Sequence, residues 1–306
     1  MKDPAPIAMF VYNRPEHTRR SLEALEQNPL SRDSILHIFS DGPKSNTGEE
    51  DLHNIAEVRK LIREKSWCKE VIIHESTVNQ GLATSLISGI NEIMQHHESV
   101  IVLEDDILTS PDFLQFCNQG LIRYEHDEKV WQVSGYMFPL RGKLPETFLL
   151  PTVACWGWAT WKRAWLKYNS DPKFLMAEIQ SGNLEYSFNL NGSYPYLQML
   201  KDRILGRNQS WAICWYATIF LNRGLSLYPG QTRAVNIGMD GSGTHWKGSG
   251  TAQVLPTLES VNGYHFPGSS EADIRVQRKL ETSLRKTYFP SIYDRIFRKL
   301  VSLFPS

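Results

Sequence analysis

Charge imbalance is missing from this chain: 33 Lys and Arg residues face 33 Asp and Glu, for a formal net charge of +0. A protein that wraps nucleic-acid phosphates carries a basic excess. Nucleic acid is therefore excluded as a partner, and any anionic ligand must be met by a local cluster. Cysteine is scarce. Cys68, Cys117, Cys155 and Cys214 are the four, with no CxxC pair and no zinc-like spacing, which argues against a structural zinc and fits a reducing compartment. No apolar run reaches membrane-spanning length. The opening MKDPAPIAMFVYNR reads as prolines before a strand instead of a basic, cleavable leader, so a cytoplasmic location is expected. Internal repeats and low-complexity tracts are absent too. With 41% hydrophobic residues over 306 positions the chain buries a substantial core, and disorder is excluded as its main theme.

What is present is a rhythm. Ile7 to Tyr12 is a short β-prone run, followed by Asn13-Arg14-Pro15 and a helical pattern through Leu22 and Leu25. The unit recurs: a strand at Ile35 to Phe39 ends at Ser40-Asp41-Gly42-Pro43, and a helix spans Glu50 to Lys65. A third strand covers Glu70 to His74. Asn79-Gln80-Gly81 then leads to a helix carrying Leu82, Leu86, Ile90 and Ile93, and a fourth strand spans Val100 to Leu103. Alternation of this kind predicts an α/β fold with a mostly parallel central sheet flanked by helices, and ligands that bind beyond the carboxyl ends of its strands. The loops at Asn13, Asp41 and Glu104 should share one crevice. Beyond about Pro139 the alternation fades, with helices expected near Trp161 to Tyr168 and Trp211 to Leu221 and a glycine-broken loop over Thr232 to Lys247. The expected organisation is an α/β half over 1–138, a second half over 139–275 and a helical tail over 276–306.

The sharpest chemical signal is Glu104-Asp105-Asp106, three acids directly after an apolar strand. Mn²⁺ or Mg²⁺ offsets such repulsion, and these ions take one or two carboxylates together with substrate phosphate oxygens. The bland alternative is that the acids serve the start of the helix after Ser110-Pro111-Asp112. Trp156, Trp158 and Trp161 fall within six residues; tryptophan faces stack on sugar rings, and they also fill cores.

The run IVLEDDILTSPDFLQFCNQG at 101–120 resembles the metal-site segment of the N-acetylglucosaminyltransferase I family and related sugar transferases with the GT-A fold. VYNRPEHTRRSLEAL at 11–25, FSDG at 39–42, WGWATW at 156–161 and NIGMDGSGTH at 236–245 agree in order, so the likeness covers roughly residues 6–246. The resemblance implies a GT-A nucleotide-diphospho-sugar transferase fold and transfer from a UDP-sugar, with inversion, to a glycan or lipid-linked acceptor. By position it implies that Arg14 contacts the nucleotide and Asp41 reads the base. Both roles make chemical sense, since a guanidinium pairs with diphosphate oxygens and a carboxylate accepts a ring N–H. Asp106 would be the direct metal ligand, with Glu104 and Asp105 touching the ribose or donor sugar. Asn79, Gly81 and Ala83 resemble the NxGxxxA segment of family 2 transferases, which approaches the nucleotide-sugar. His245 would join the metal or the diphosphate, and Trp156 and Trp158 the acceptor. The general base of the inverting members has no counterpart in Gly206 to Trp215, which leaves Asp202 upstream, preferred, or Asp240 downstream.

The segment Ser291 to Phe304 places Ile292, Ile296, Leu300 and Leu303 on one helical face and Arg295, Arg298 and Lys299 on another. That pattern suits peripheral contact with the inner membrane face, or docking on the protein's own core. Two other classes compete. A sugar-nucleotide nucleotidyltransferase opens with a glycine-rich basic loop, where this chain has VYNRPEH. A non-catalytic carbohydrate-binding protein has no need of three acids at a strand end.

Overall fold

The computed structural model describes residues 3–238 and 263–289. Its first half follows the expected alternation. β1 (Ile7–Val11), α1 (Pro15–Glu26), β2 (Ile35–Ser40), α2 (Glu49–Leu61), β3 (Glu70–Glu75), α3 (Leu82–His96) and β4 (Ser99–Glu104) succeed one another. β5 (Ile107–Thr109), α4 (Phe113–Arg123) and β6 (Val130–Ser134) complete it. The second half adds β7 (Thr147–Leu150), β8 (Trp158–Trp161), α5 (Lys162–Trp165), α6 (Pro172–Ser181), α7 (Glu185–Phe188), α8 (Tyr196–Ile204) and α9 (Trp211–Leu221). β9 (Leu225–Pro229), β10 (Ala234–Asn236) and α10 (Ile274–Tyr288) follow.

Eight strands form one sheet in the order β3-β2-β1-β4-β8-β6-β9-β7. β3, β2, β1 and β4 pair in parallel. β8 runs antiparallel to both β4 and β6, β6 and β9 are parallel, and β7 is antiparallel to β9. The sheet is thus parallel on one side and mixed on the other. Both faces are covered, which is why the strands read as continuous apolar runs and not as alternation. Ile7, Met9 and Val11 of β1 pack with Leu22 and Leu25 of α1 and Val58 of α2. Ala8 and Phe10 point the other way, into a core with Leu86 and Ile90 of α3 and Trp215 of α9.

One element differs from the sequence reading. The segment expected to be helical from Trp161 begins as strand β8, and only Lys162–Trp165 makes a helical turn. Four consecutive buried residues there pair with β4 and β6, so tertiary pairing outweighs a helical spacing of tryptophans. α10 buries Val276, Leu280 and Leu284 against the protein's own core, while Ser291 to Phe304 lies outside the described residues. Among the described residues, no helix is long and apolar enough to cross a membrane.

Candidate active site

The parallel register aligns the carboxyl ends of β1, β2 and β4: Phe10 lies opposite Phe39 on one side and Glu104 on the other. The loops that follow therefore meet at one edge, as expected for an open sheet. Asp105 and Asp106 occupy a turn between β4 and β5, with only 4% and 7% of their surface exposed. Ser21 of α1 donates its hydroxyl to the Asp105 carbonyl at 2.9 Å, and the Ile237 N–H donates to the Asp106 carbonyl at 2.9 Å. β5 pairs antiparallel with β10, which carries the chain to Gly238. A Cβ on Gly238 would sit 2.2 Å from Asp106 Oδ2 and 2.7 Å from Arg14 Nη1. A side chain there would require Asp106 and Arg14 to shift.

Arg14 stands at the N-cap of α1, ahead of Pro15. Its Nη2 donates to Asp105 Oδ1 and, at 3.0 Å, to Asp106 Oδ2. The residue expected on the diphosphate thus holds the acids themselves. The Arg14 pKa is raised; burial works against this, and the charges of Asp105 and Asp106 outweigh it. Even so, Asp106 Oδ1 is buried with no hydrogen-bond partner. Burial, with repulsion from Asp106 and Asp105 added and Arg14 opposing, raises the Glu104 carboxyl to about 8. Burial raises Asp105 to about 6, with Arg14 pulling down and Asp106 pushing up. Three acids beside one guanidinium form a site short of positive charge.

In the protein alone, Asp41 is held by its own chain. Its Oδ1 accepts the N–H groups of Gly42 and Gln80, each at 2.8 Å. Its Oδ2 accepts Gly81 N–H at 2.9 Å and the Asn79 amide at 3.0 Å. Four donors thus meet one carboxylate. Asp41 pins the loop before α3 to the loop after β2. Gly81 there has φ +76, a left-handed backbone that suits glycine. A Cβ on Gly42 would lie 2.5 Å from the Val78 nitrogen, so the two loops touch backbone to backbone.

Of the two tryptophans assigned to the acceptor, Trp158 is wholly buried. It stacks on Trp211 at 5.4 Å and packs near Trp165 and Trp215; as part of β8 it faces the core. Trp156 is half-buried and meets Tyr136 edge-on at 4.5 Å, and Tyr136 in turn meets Phe138 at 5.3 Å. Cys155 and Gly157, the neighbours of Trp156 in the chain, lie toward β4 and β5. The neighbouring Cys155 thiol is raised by burial and, next, by the charge of Glu104. A Cβ on Gly157 would lie 3.4 Å from Ile107 Cγ2. Tyr136 and Gly238 were not singled out from sequence; the Gly-Tyr-Met-Phe run just after β6 was the available signal for the first.

Asp202, preferred as general base, lies on α8 and accepts from Gln198 at 3.0 Å and Arg207 at 3.4 Å. This is a local helix-surface network, and no contact joins it to the acidic run. Asp240 and His245 lie outside the described residues. Among the described residues, no group of three or more His, Cys, Asp or Glu side chains is arranged to hold a metal ion. The open buried oxygen of Asp106 nevertheless fits a hard cation that takes one or two carboxylates and completes its shell with ligand oxygens.

A second buried cluster lies behind the acids. Asp112, at the N-cap of α4, accepts from Tyr264 at 2.6 Å and Ser110 at 2.7 Å, and its Oδ2 is 3.5 Å from Arg233 Nε.

No protein-family model matches the chain, and no curated protein matches it. Among solved structures, it is similar to a protein of Desulfovibrio desulfuricans G20 assigned as a nucleotide-diphospho-sugar transferase. That likeness has 15% identity and a TM-score of 0.32 over 54% of this chain, and it spans 65% of the other, under two thirds of its length. The chain is also similar to a UDP-glucose pyrophosphorylase solved with UDP-glucose, at 10% identity and a TM-score of 0.36, over 76% of this chain and 92% of that one. Neither likeness carries chemistry to this chain. The class its own coordinates define is a mixed α/β protein with a large central sheet flanked by helices and an acidic run at the carboxyl end of an inner strand.

Proposed function

We propose that the chain is a divalent-cation-dependent glycosyltransferase of GT-A type that moves a sugar from a UDP-sugar onto a glycan or lipid-linked acceptor. The observation that carries this reading is Asp106 Oδ1, buried and unpartnered at the end of β4 beside Asp105 and Arg14. A buried acceptor without a donor is unfavourable by about 1–3 kcal/mol, so its persistence points to a ligand that completes it. Asp106, with Asp105 beside it, would hold Mn²⁺ or Mg²⁺, which when bound neutralises the leaving diphosphate as a Lewis acid. Arg14 would contact the diphosphate, with one edge of its side chain open to solvent (22% exposed). Glu104, whose carboxyl pKa is raised by burial in the protein alone, would face the donor sugar. The shelf of Trp156, Tyr136 and Phe138 offers the acceptor aromatic faces. A nucleotidyltransferase reading finds less support, because only Tyr12, Asn13 and Arg14 separate β1 from α1 and no glycine-rich basic loop is present to wrap a triphosphate.

Thermal unfolding tests the reading directly. UDP with Mn²⁺ should raise the melting temperature by several degrees, since ligand at 100 times its Kd adds about 2.7 kcal/mol, and UDP with EDTA should not. An equal shift in both, or a shift with free sugar alone, rejects it. Metal-dependent hydrolysis across a panel of nucleotide-sugars would then identify the donor.

A further inference from the structure

We infer that Arg14 is an internal counter-cation of the acidic run, which a divalent cation must displace from Asp105 and Asp106 in order to bind. The inference rests on the reading of Asp106 as a cation ligand.

Three observations lead there. Arg14 bridges both aspartates through Nη2 and adds Nε to Asp105 Oδ2 at 3.4 Å. It therefore lies on the oxygens through which the carboxylates would ligate. The bridge is incomplete, because one planar guanidinium cannot reach four carboxylate oxygens, and Asp106 Oδ1, on a side chain only 10% exposed, is the oxygen left over. Arg14 belongs to a different element from the acids, the N-cap of α1, and its side chain keeps a solvent-facing edge. It can leave the acids without disturbing β4.

Two cations a few ångströms apart in a partly desolvated site repel each other. With Arg14 in place, the second positive charge is disfavoured; with Arg14 drawn away, the buried carboxylates are left uncompensated and attract it. A diphosphate supplies what draws Arg14 away, because its oxygens match the guanidinium fork. Cation and nucleotide then strengthen each other's binding by one and the same factor, as linkage requires. Gly238 bears on the same exchange: its backbone lies against both Asp106 Oδ2 and Arg14 Nη1, in space that any side chain would fill.

The test is Mn²⁺ binding, read at pH 8 from loss of the free-ion paramagnetic resonance signal, in the wild type, Arg14→Gln and Arg14→Lys, each with and without UDP. Arg14→Gln should bind Mn²⁺ alone about tenfold tighter than the wild type, the scale of one charge pair removed at a partly screened site. Arg14→Lys, which keeps a point charge without the fork, should fall between them. UDP should tighten Mn²⁺ binding to the wild type about tenfold and to Arg14→Gln far less. Arg14→Gln and Arg14→Lys both binding Mn²⁺ no tighter than the wild type would overturn the inference, as would absence of Mn²⁺ binding in all three. If the Arg14 variants tighten Mn²⁺ while UDP binds to none of the proteins, the counter-cation stands and the nucleotide-sugar reading falls.

Discussion

Asp41 and Asp106 lie just past β2 and β4, the strands on either side of β1, and each is 7% exposed, yet they differ in what their oxygens meet. Asp41 accepts four hydrogen bonds from its own chain, three from backbone N–H groups and one from an amide. Asp106 shares a guanidinium with Asp105 and keeps one oxygen unpartnered. Burial therefore does not separate an acid that holds the fold from one that awaits a ligand. Saturation of the lone pairs does, since a protein rarely leaves a buried acceptor open without a reason.

That contrast can be broken by measurement. The largest expected effect is in the saturated acid: Asp41→Ala should lower unfolding free energy by about 3 kcal/mol, because several donors lose a buried partner at once. Urea denaturation checks it, and a loss under about 1 kcal/mol would mean that the loops hold without their staple. Next comes Glu104. Its carboxyl stays protonated in the fold up to about 8, whereas an ordinary glutamate near 4.5 ionises on unfolding. The folded state thus holds the extra proton between those values, and stability falls as pH rises through that window. Glu104→Gln should remove the fall, gaining about 2 kcal/mol at pH 8 after allowance for solvent screening and almost nothing at pH 4.5.

The strand that leads to Asp41 should show the opposite slope. His37 of β2 is lowered from 6.5 to about 4, by burial first and then by His74 and His97. The unfolded chain therefore takes up the proton that the fold refuses, so stability is full above about pH 6.5 and declines toward pH 4. His37→Phe should flatten that limb by about 1 kcal/mol at pH 5; an unchanged slope would assign the decline elsewhere. The smallest change belongs to the open acid. Asp106→Asn should keep unfolding free energy within about 1 kcal/mol of the wild type while metal-dependent UDP stabilisation disappears. A large loss of stability would place Asp106 with Asp41.

The sequence showed the first half of the fold well, since β1 and β4 are buried on both faces and read as apolar runs. The acids at the end of β4 were visible for the same reason. Other features depend on partners far along the chain. The donors to Asp41 come mainly from backbone at Gln80 and Gly81, which no side-chain pattern announces. The pairing of Arg14 with Asp105 joins residues 91 positions apart. Trp158 and Trp156 are two positions apart in one motif, and only the start of β8 decides that the first is core and the second half-buried.

The Asp112 cluster has a consequence for how this protein can change. Arg233 lies shortly before Gly238 and Tyr264 directly after Gly263, and both reach the one carboxylate at the start of α4. The two flanks of residues 239–262 are therefore tied together by the folded body. Loss of the Asp112 carboxylate would release Arg233 and Tyr264 together, two residues drawn from opposite sides of that stretch.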